Sequence, residues 1–165
     1  MKGTLALKDE TVVLKNLQMD ALDGKIGLDG SYSTRNDKKH PDISLTYDLK
    51  ELSAEKTFYA FNTVQKLMPV GKFISGVISS QMTMTGKLGS NMMPDLSTLT
   101  GKGNFLLLEG VLKKFAPVEK LAQTLNVSEL SSFTLKDIKS YFEFANGKVL
   151  VKPFHVKVKD IDVEI

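Results

Sequence analysis

The stretch Tyr141-Phe142-Glu143-Phe144-Ala145-Asn146-Gly147-Lys148-Val149-Leu150-Val151-Lys152-Pro153-Phe154 decides the fold. Two apolar runs of period two are joined by Ala145-Asn146-Gly147, and Asn-Gly supplies the positive φ that a tight hairpin demands. Strands are expected over residues 138 to 144, 148 to 151 and 154 to 158. Further on, Ile161, Val163 and Ile165 alternate with Asp162 and Glu164 to the last residue. That pattern carries the expectation that the chain is a segment of a longer protein.

The same unit recurs at the start. Setting Lys2 against Lys139 aligns, without a gap, Leu5 with Phe142, Leu7 with Phe144, Asp9-Glu10 with Asn146-Gly147, Val12 with Val149 and Leu14 with Val151. The match runs on through Lys15 with Lys152, Leu17 with Phe154 and Met19 with Val156. Phe105 and Leu107, followed by Glu109-Gly110 and Val111-Leu112, begin a third copy that diverts at Pro117. Two readings stand: all amphipathic hairpins share such a pattern, or the sheet grows by repeating units that rely on their neighbours for burial.

Between these ends, Ile26, Leu28 and Tyr32, then Ile43, Leu45, Tyr47 and Leu49, then Ile78, Met82 and Met84 alternate as strands. The polar loop Arg35 to Pro41 separates the first two runs. The period changes after Ser53, a candidate N-cap, where Phe58, Phe61, Val64, Leu67 and Met68 recur at threes and fours up to Pro69. A helix is expected over about residues 53 to 68, and Val70 to Gly76 leaves room for a short helical turn. A second helix begins near Pro117, with Val118, Leu121, Ala122 and Leu125 on one side and Asn126 near its end. The expected class is α+β: a twisted, mostly antiparallel sheet of roughly eight to ten strands made of repeated hairpins, with two helices packed on or capping one face.

Composition agrees with one domain over residues 1 to 165, 42% hydrophobic and 25% charged. A net charge of +3, with no block of like charges, speaks against a nucleic-acid partner. Cysteine is absent, which removes disulfides, thiolate metal sites and cysteine nucleophiles. Met1-Lys2-Gly3-Thr4 leads straight into alternation, so a signal or membrane anchor is expected outside this stretch.

No catalytic constellation emerges. His40 lies in a polar loop and His155 beside Phe154, without metal-ligand spacing. Asp160, Asp162 and Glu164 share a strand face but lack a loop to wrap a calcium ion, and they read as a solvated face. The glycines at Gly86, Gly89, Gly101 and Gly103 do not space as a phosphate loop, and Ser79-Ser80 and Ser131-Ser132 lack a histidine base. No enzyme, metal or cofactor is expected.

The unit over Tyr141 to Phe154, together with Gly101-Lys-Gly-Asn-Phe-Leu-Leu-Leu-Glu-Gly-Val-Leu112 before a helix, resembles the repeats near the C-terminus of AsmA-like proteins, relatives of TamB and other repeating β-groove lipid-transfer proteins. The resemblance implies a periplasmic segment of a parent anchored in the inner membrane, serving outer-membrane lipid homeostasis by binding phospholipid or another acyl-chain lipid. The candidate lining residues are Phe105, Leu107, Phe142, Phe144, Leu150, Phe154 and Val156, with Leu150 in the opposite phase to Val149 and Val151. Large apolar residues of this kind also serve as ordinary core. The competing function is an interaction module that pairs its open edges with the rest of the parent protein by strand addition.

Overall fold

The computed structural model describes residues 1–67, 69–113, 116–125, 132–135, 137–158 and 161–164. Their elements are β1 (Lys2–Lys8), β2 (Thr11–Ala21), β3 (Gly24–Ser33), β4 (Asp42–Ser53), α1 (Ala54–Ala60), α2 (Asn62–Leu67), a 3-10 turn (Pro69–Phe73), β5 (Ile74–Lys87), β6 (Thr100–Lys113), α3 (Ala116–Leu125), β7 (Ser132–Leu135), β8 (Ile138–Ala145), β9 (Lys148–Val151), β10 (His155–Val158) and β11 (Ile161–Glu164). Nine strands form one antiparallel sheet in the order β1-β2-β3-β4-β5-β6-β8-β9, with β7 also on β6, and β10 and β11 pair separately. The class is α+β with a largely antiparallel sheet.

Local chemistry explains the meander. Asp9 and Glu10 have φ of 50° and 56°, Leu22 and Asp23 55° and 69°, and Asn146 and Gly147 54° and 73°. Both central residues are left-handed in each two-residue loop, the geometry whose twist matches the flanking strands. The two aligned hairpins share a register as well. Leu5 faces Leu14 and Leu7 faces Val12, while Phe142 faces Val151 and Phe144 faces Val149. Beyond them Thr4 stands opposite Lys15, and the Lys152 amide donates to the Tyr141 carbonyl at 2.8 Å.

Three strands run on through bulges. β2 runs through Lys15-Asn16, with Asn16 at φ 51° and a register shift between Leu14 and Leu17. β4 does the same at Glu51, φ 56°, between Leu49 and Leu52. Glu109-Gly110, read as a hairpin turn, lies inside β6: Glu109 is at φ 44°, and β6 continues to Lys113 opposite β7. An extra residue reverses the alternation and bends the strand. That is why the inward phase passes from Leu14 to Leu17 and from Leu49 to Leu52. The amides freed at two bulges find side-chain acceptors, Asn16 N–H on Asp29 Oδ1 at 2.9 Å and Glu51 N–H on Ser79 Oγ at 3.0 Å.

The helical content departs from the two helices expected. Ser53 does cap α1, accepting from the Lys56 amide at 3.3 Å, but Phe61 at φ −122°, ψ 108° ends the helix and α2 restarts at Asn62. α1 packs on β4 and β5 and buries Ala54, Thr57 and Phe58, whereas Phe61 is exposed. Ala54 joins the core of the sheet and Phe58 lies against Gly71 of the following turn, while Phe61, at the break, is left outside. The turn expected after Pro69 is the 3-10 segment, and α3 occupies the site of the second helix. Met68 and Asn126, placed at the ends of these helices, fall outside the described residues.

Candidate functional site

The period of two and the registers place one set of side chains on a common face across the sheet. The row Leu5, Leu14, Gly30, Leu45, Met84, Gly101, Phe144, Val149 crosses eight strands as successive cross-strand partners. Beside it run Leu17, Leu28, Tyr47, Met82, Gly103, Phe142 and Val151. Glycine at 101 and 103 makes space for neighbours: a Cβ on Gly103 would stand 2.5 Å from Phe142 Cζ. Phe142 and Phe144 meet edge to face at 6.0 Å, the arrangement aromatic quadrupoles favour.

This face is closed in two places and open elsewhere. Ile26, Leu52, Ala54, Ile78, Leu107 and Ile138 form one buried cluster, with Phe105 and Phe154 packed against it. Met82, Leu99 and Phe144 form a second, joined by Ile43, Leu45, Tyr47, Met84 and Phe142. α1 supplies Ala54 to the first, and Leu99, from the connection before β6, covers the second. At the β1 end nothing among the described residues covers the face: Leu5 is 68% exposed and Leu7 73%.

Of the lining candidates, Phe105, Leu107, Phe142 and Phe144 come together on this face, and Phe154 turns back onto it after Pro153. Leu107 and Phe144 are buried, at 1% and 8% exposure, while Phe105, Phe142 and Phe154 are half-buried. Leu150 does not join them. It stands opposite Glu143, on the other side of the sheet, because the hairpin register gives the apolar face to Val149 and Val151. Val156 pairs with Val163 in β10–β11, and its side chain lies outside the described ones. The sequence reading missed Leu5, Leu7, Leu14, Tyr32 and Met84; their strict alternation was the available signal.

Polar atoms on the face are satisfied in a chain. Ser80 Oγ donates to the Asn104 carbonyl at 2.7 Å and so accepts from the Tyr47 hydroxyl at 3.1 Å, while Ser140 Oγ donates to the Lys152 carbonyl. Burial pushes the Tyr47 phenol above its ordinary value, with the Ser80 bond opposing in part. A raised folded-state pKa contributes stability that is complete below the unfolded value and is lost as pH climbs through the folded one. Stability should therefore decline above about pH 10, and Tyr47→Phe should flatten that decline. Urea unfolding on both sides of that pH checks it; identical slopes for the two proteins would refute the assignment.

No clustered donor set for a metal occurs among the described residues. The His40 ring lies 2.9 Å from Asp37 Oδ2, and with the backbone amides of Lys39 and His40 it lowers the Asp37 carboxyl to about 2. That geometry fixes an exposed loop. A concavity of about 840 Å³ near the β2–β3 turn is lined by Asp20, Asp23, Lys25, Lys50 and Glu51. It shares no residue with the lining candidates, and the Lys56–Asp23 ion pair at 2.7 Å belongs to the same surface. No helix among the described residues is long and apolar enough to cross a membrane. Comparison with protein-family models, with curated proteins and with solved structures finds no match.

Proposed function

We propose that this chain is a non-catalytic lipid-binding segment that holds acyl chains along the apolar sheet face, as part of a periplasmic, inner-membrane-anchored lipid-transfer protein serving the outer membrane. One observation carries the reading: the registered apolar row spans the sheet from β1 to β9, yet only parts of it are covered. In this reading the helices cap the face, and lipid occupies the remainder. Removing a methylene from water is worth about 0.8 kcal/mol, so ten methylenes laid along the row contribute roughly 8 kcal/mol before the cost of ordering the ligand. No directed polar contact is required for such a ligand, which fits a face with few polar groups.

The test is extraction of the purified chain followed by mass spectrometry of the lipid, with binding of a fluorescent phospholipid as the quantitative arm. Leu14→Asp and Phe142→Asp are expected to lower bound lipid at least several-fold by placing a charge on the row. Leu150→Asp, on the opposite face, should leave it unchanged. A lipid-free wild type that ignores the phospholipid probe would end this reading, and so would equal losses in all three variants.

A further inference from the structure

β1 is an edge strand with no partner but β2 among the described residues, and its backbone groups on the other side are open to pairing. The molecule contains an occupied version of the same hairpin. β8 matches β1 in sequence, register and turn conformation, and its outer edge is taken by β6. Phe144, beside β6 and beneath Leu99, is 8% exposed, and its counterpart Leu7, with neither neighbour, is 73% exposed. What β1 lacks is therefore an antiparallel strand that sets no charge against Leu5 and Leu7; β6 presents Gly103 and Gly101 at the equivalent positions.

Charge narrows the choice. On its other face β1 carries Lys2 and Lys8, flanking Thr4 and Ala6. The β9 edge of another copy offers Lys148 and Lys152, and like charges set opposite one another are destabilising. β11 has the complementary pattern. Ile161 and Val163 alternate with Asp162 and Glu164, and its only described partner is β10. With Ile161 set opposite Leu7 and Val163 opposite Leu5 in an antiparallel pair, Asp162 and Glu164 fall opposite Ala6 and Thr4, diagonal to Lys8 and Lys2.

We propose that the β1 edge is the acceptor for the β11 strand of a second copy of this chain, giving a head-to-tail assembly held by strand pairing and Lys–carboxylate contacts. Donor and acceptor are different surfaces, so the contact is heterologous and can propagate. The apolar face of one copy then continues beside that of the next. The assembly does not depend on lipid: two edges and their charges suffice.

Sedimentation velocity of the full chain tests it. The wild type is expected to gain mass with concentration and to lose it as salt rises, since exposed charge pairs are screened beyond about 10 Å at 0.1 M. Leu5→Asp with Leu7→Asp removes the acceptor, and Asp162→Lys with Glu164→Lys removes the donor. Each variant alone should stay monomeric, and mixing the two should give a dimer and nothing larger. Adding Lys2→Glu and Lys8→Glu to the donor variant should restore self-association, which separates a charge effect from misfolding. A wild type that is monomeric throughout overturns the proposal, as does association that persists in either double variant.

Discussion

Leu107→Ala should cost about 3 to 5 kcal/mol of folding stability, at the upper end for a leucine truncated in a core. Leu107 is 1% exposed and stands between Ile78 of β5 and Ile138 of β8. The cost of such a cavity depends on how far the surroundings collapse into it, and here they are held. Cross-strand pairing fixes both neighbours, and the bulge at Glu109 fixes the chain two residues on. Gly110 approaches so closely that a Cβ there would lie 2.4 Å from Leu107 Cδ2, so no adjacent side chain stands ready to fill the space. Since a domain's whole stability is about 5 to 15 kcal/mol, a loss of this size is a large share. Leu106→Ala is the control: Leu106 faces Ser79 and Lys139 on the opposite side, half-buried, and should cost about 1 kcal/mol. Urea unfolding of the pair decides it, and equal losses would show that the two faces had been assigned wrongly.

The contrast between these neighbours shows what alternation reveals and where it stops. Tyr141 to Phe154 was legible because both its turn and its period are local, and the register of β8–β9 follows from a two-residue loop. The change of phase from Leu14 to Leu17 was legible too, but its meaning was not. A bulge and a break between strands leave the same trace in one strand, and only the partner strand tells them apart. Glu109-Gly110 is the sharper case. An acidic residue before glycine suits a turn, yet β5 and β7 continue the pairing on both sides, and tertiary context overrides the local signal. Phe61 follows the same logic in a helix: period three-to-four placed it on the stripe, while its extended backbone, φ −122° and ψ 108°, ends α1 and leaves its side chain exposed.

The candidate face was half legible for a related reason. Phe105, Phe142 and Phe144 share a face because their spacing is even within each strand and the registers bring the strands into phase. Leu150 looked equivalent to its neighbours, since an uninterrupted Val149-Leu150-Val151 gives no alternation to choose by. Exposure was beyond reach altogether. Leu5 and Leu7 match Phe142 and Phe144 position for position, and what separates them is β6 with Leu99 of the connection before it, distant in sequence from either hairpin.

Gly76→Ala should be more costly than its small size suggests, about 3 kcal/mol or more, because backbone strain and a backbone clash coincide. Gly76 of β5 stands alone opposite the Glu109-Gly110 bulge of β6, at φ +133°, a conformation that side chains rarely adopt. A Cβ would stand 2.7 Å from Gly110 Cα and 2.8 Å from the Glu109 carbonyl oxygen. These are backbone atoms of the facing bulge, so no rotamer can relieve the contact and β5 must part from β6. The damage should reach Ile74, which pairs with Leu112 beyond the bulge and packs against the first core cluster. Gly147→Ala isolates the conformational part, since Gly147 also has positive φ, 73°, but a Cβ there would come no nearer than 3.7 Å to the atoms around it. That variant should lose about 1 kcal/mol. Hydrogen exchange should quicken at residues 74–78 and 108–112 in the Gly76 variant and stay unchanged there in the Gly147 variant. Equal stability losses, or unchanged exchange across β5 and β6, would mean that Gly76 and the facing bulge do not lock the two strands together.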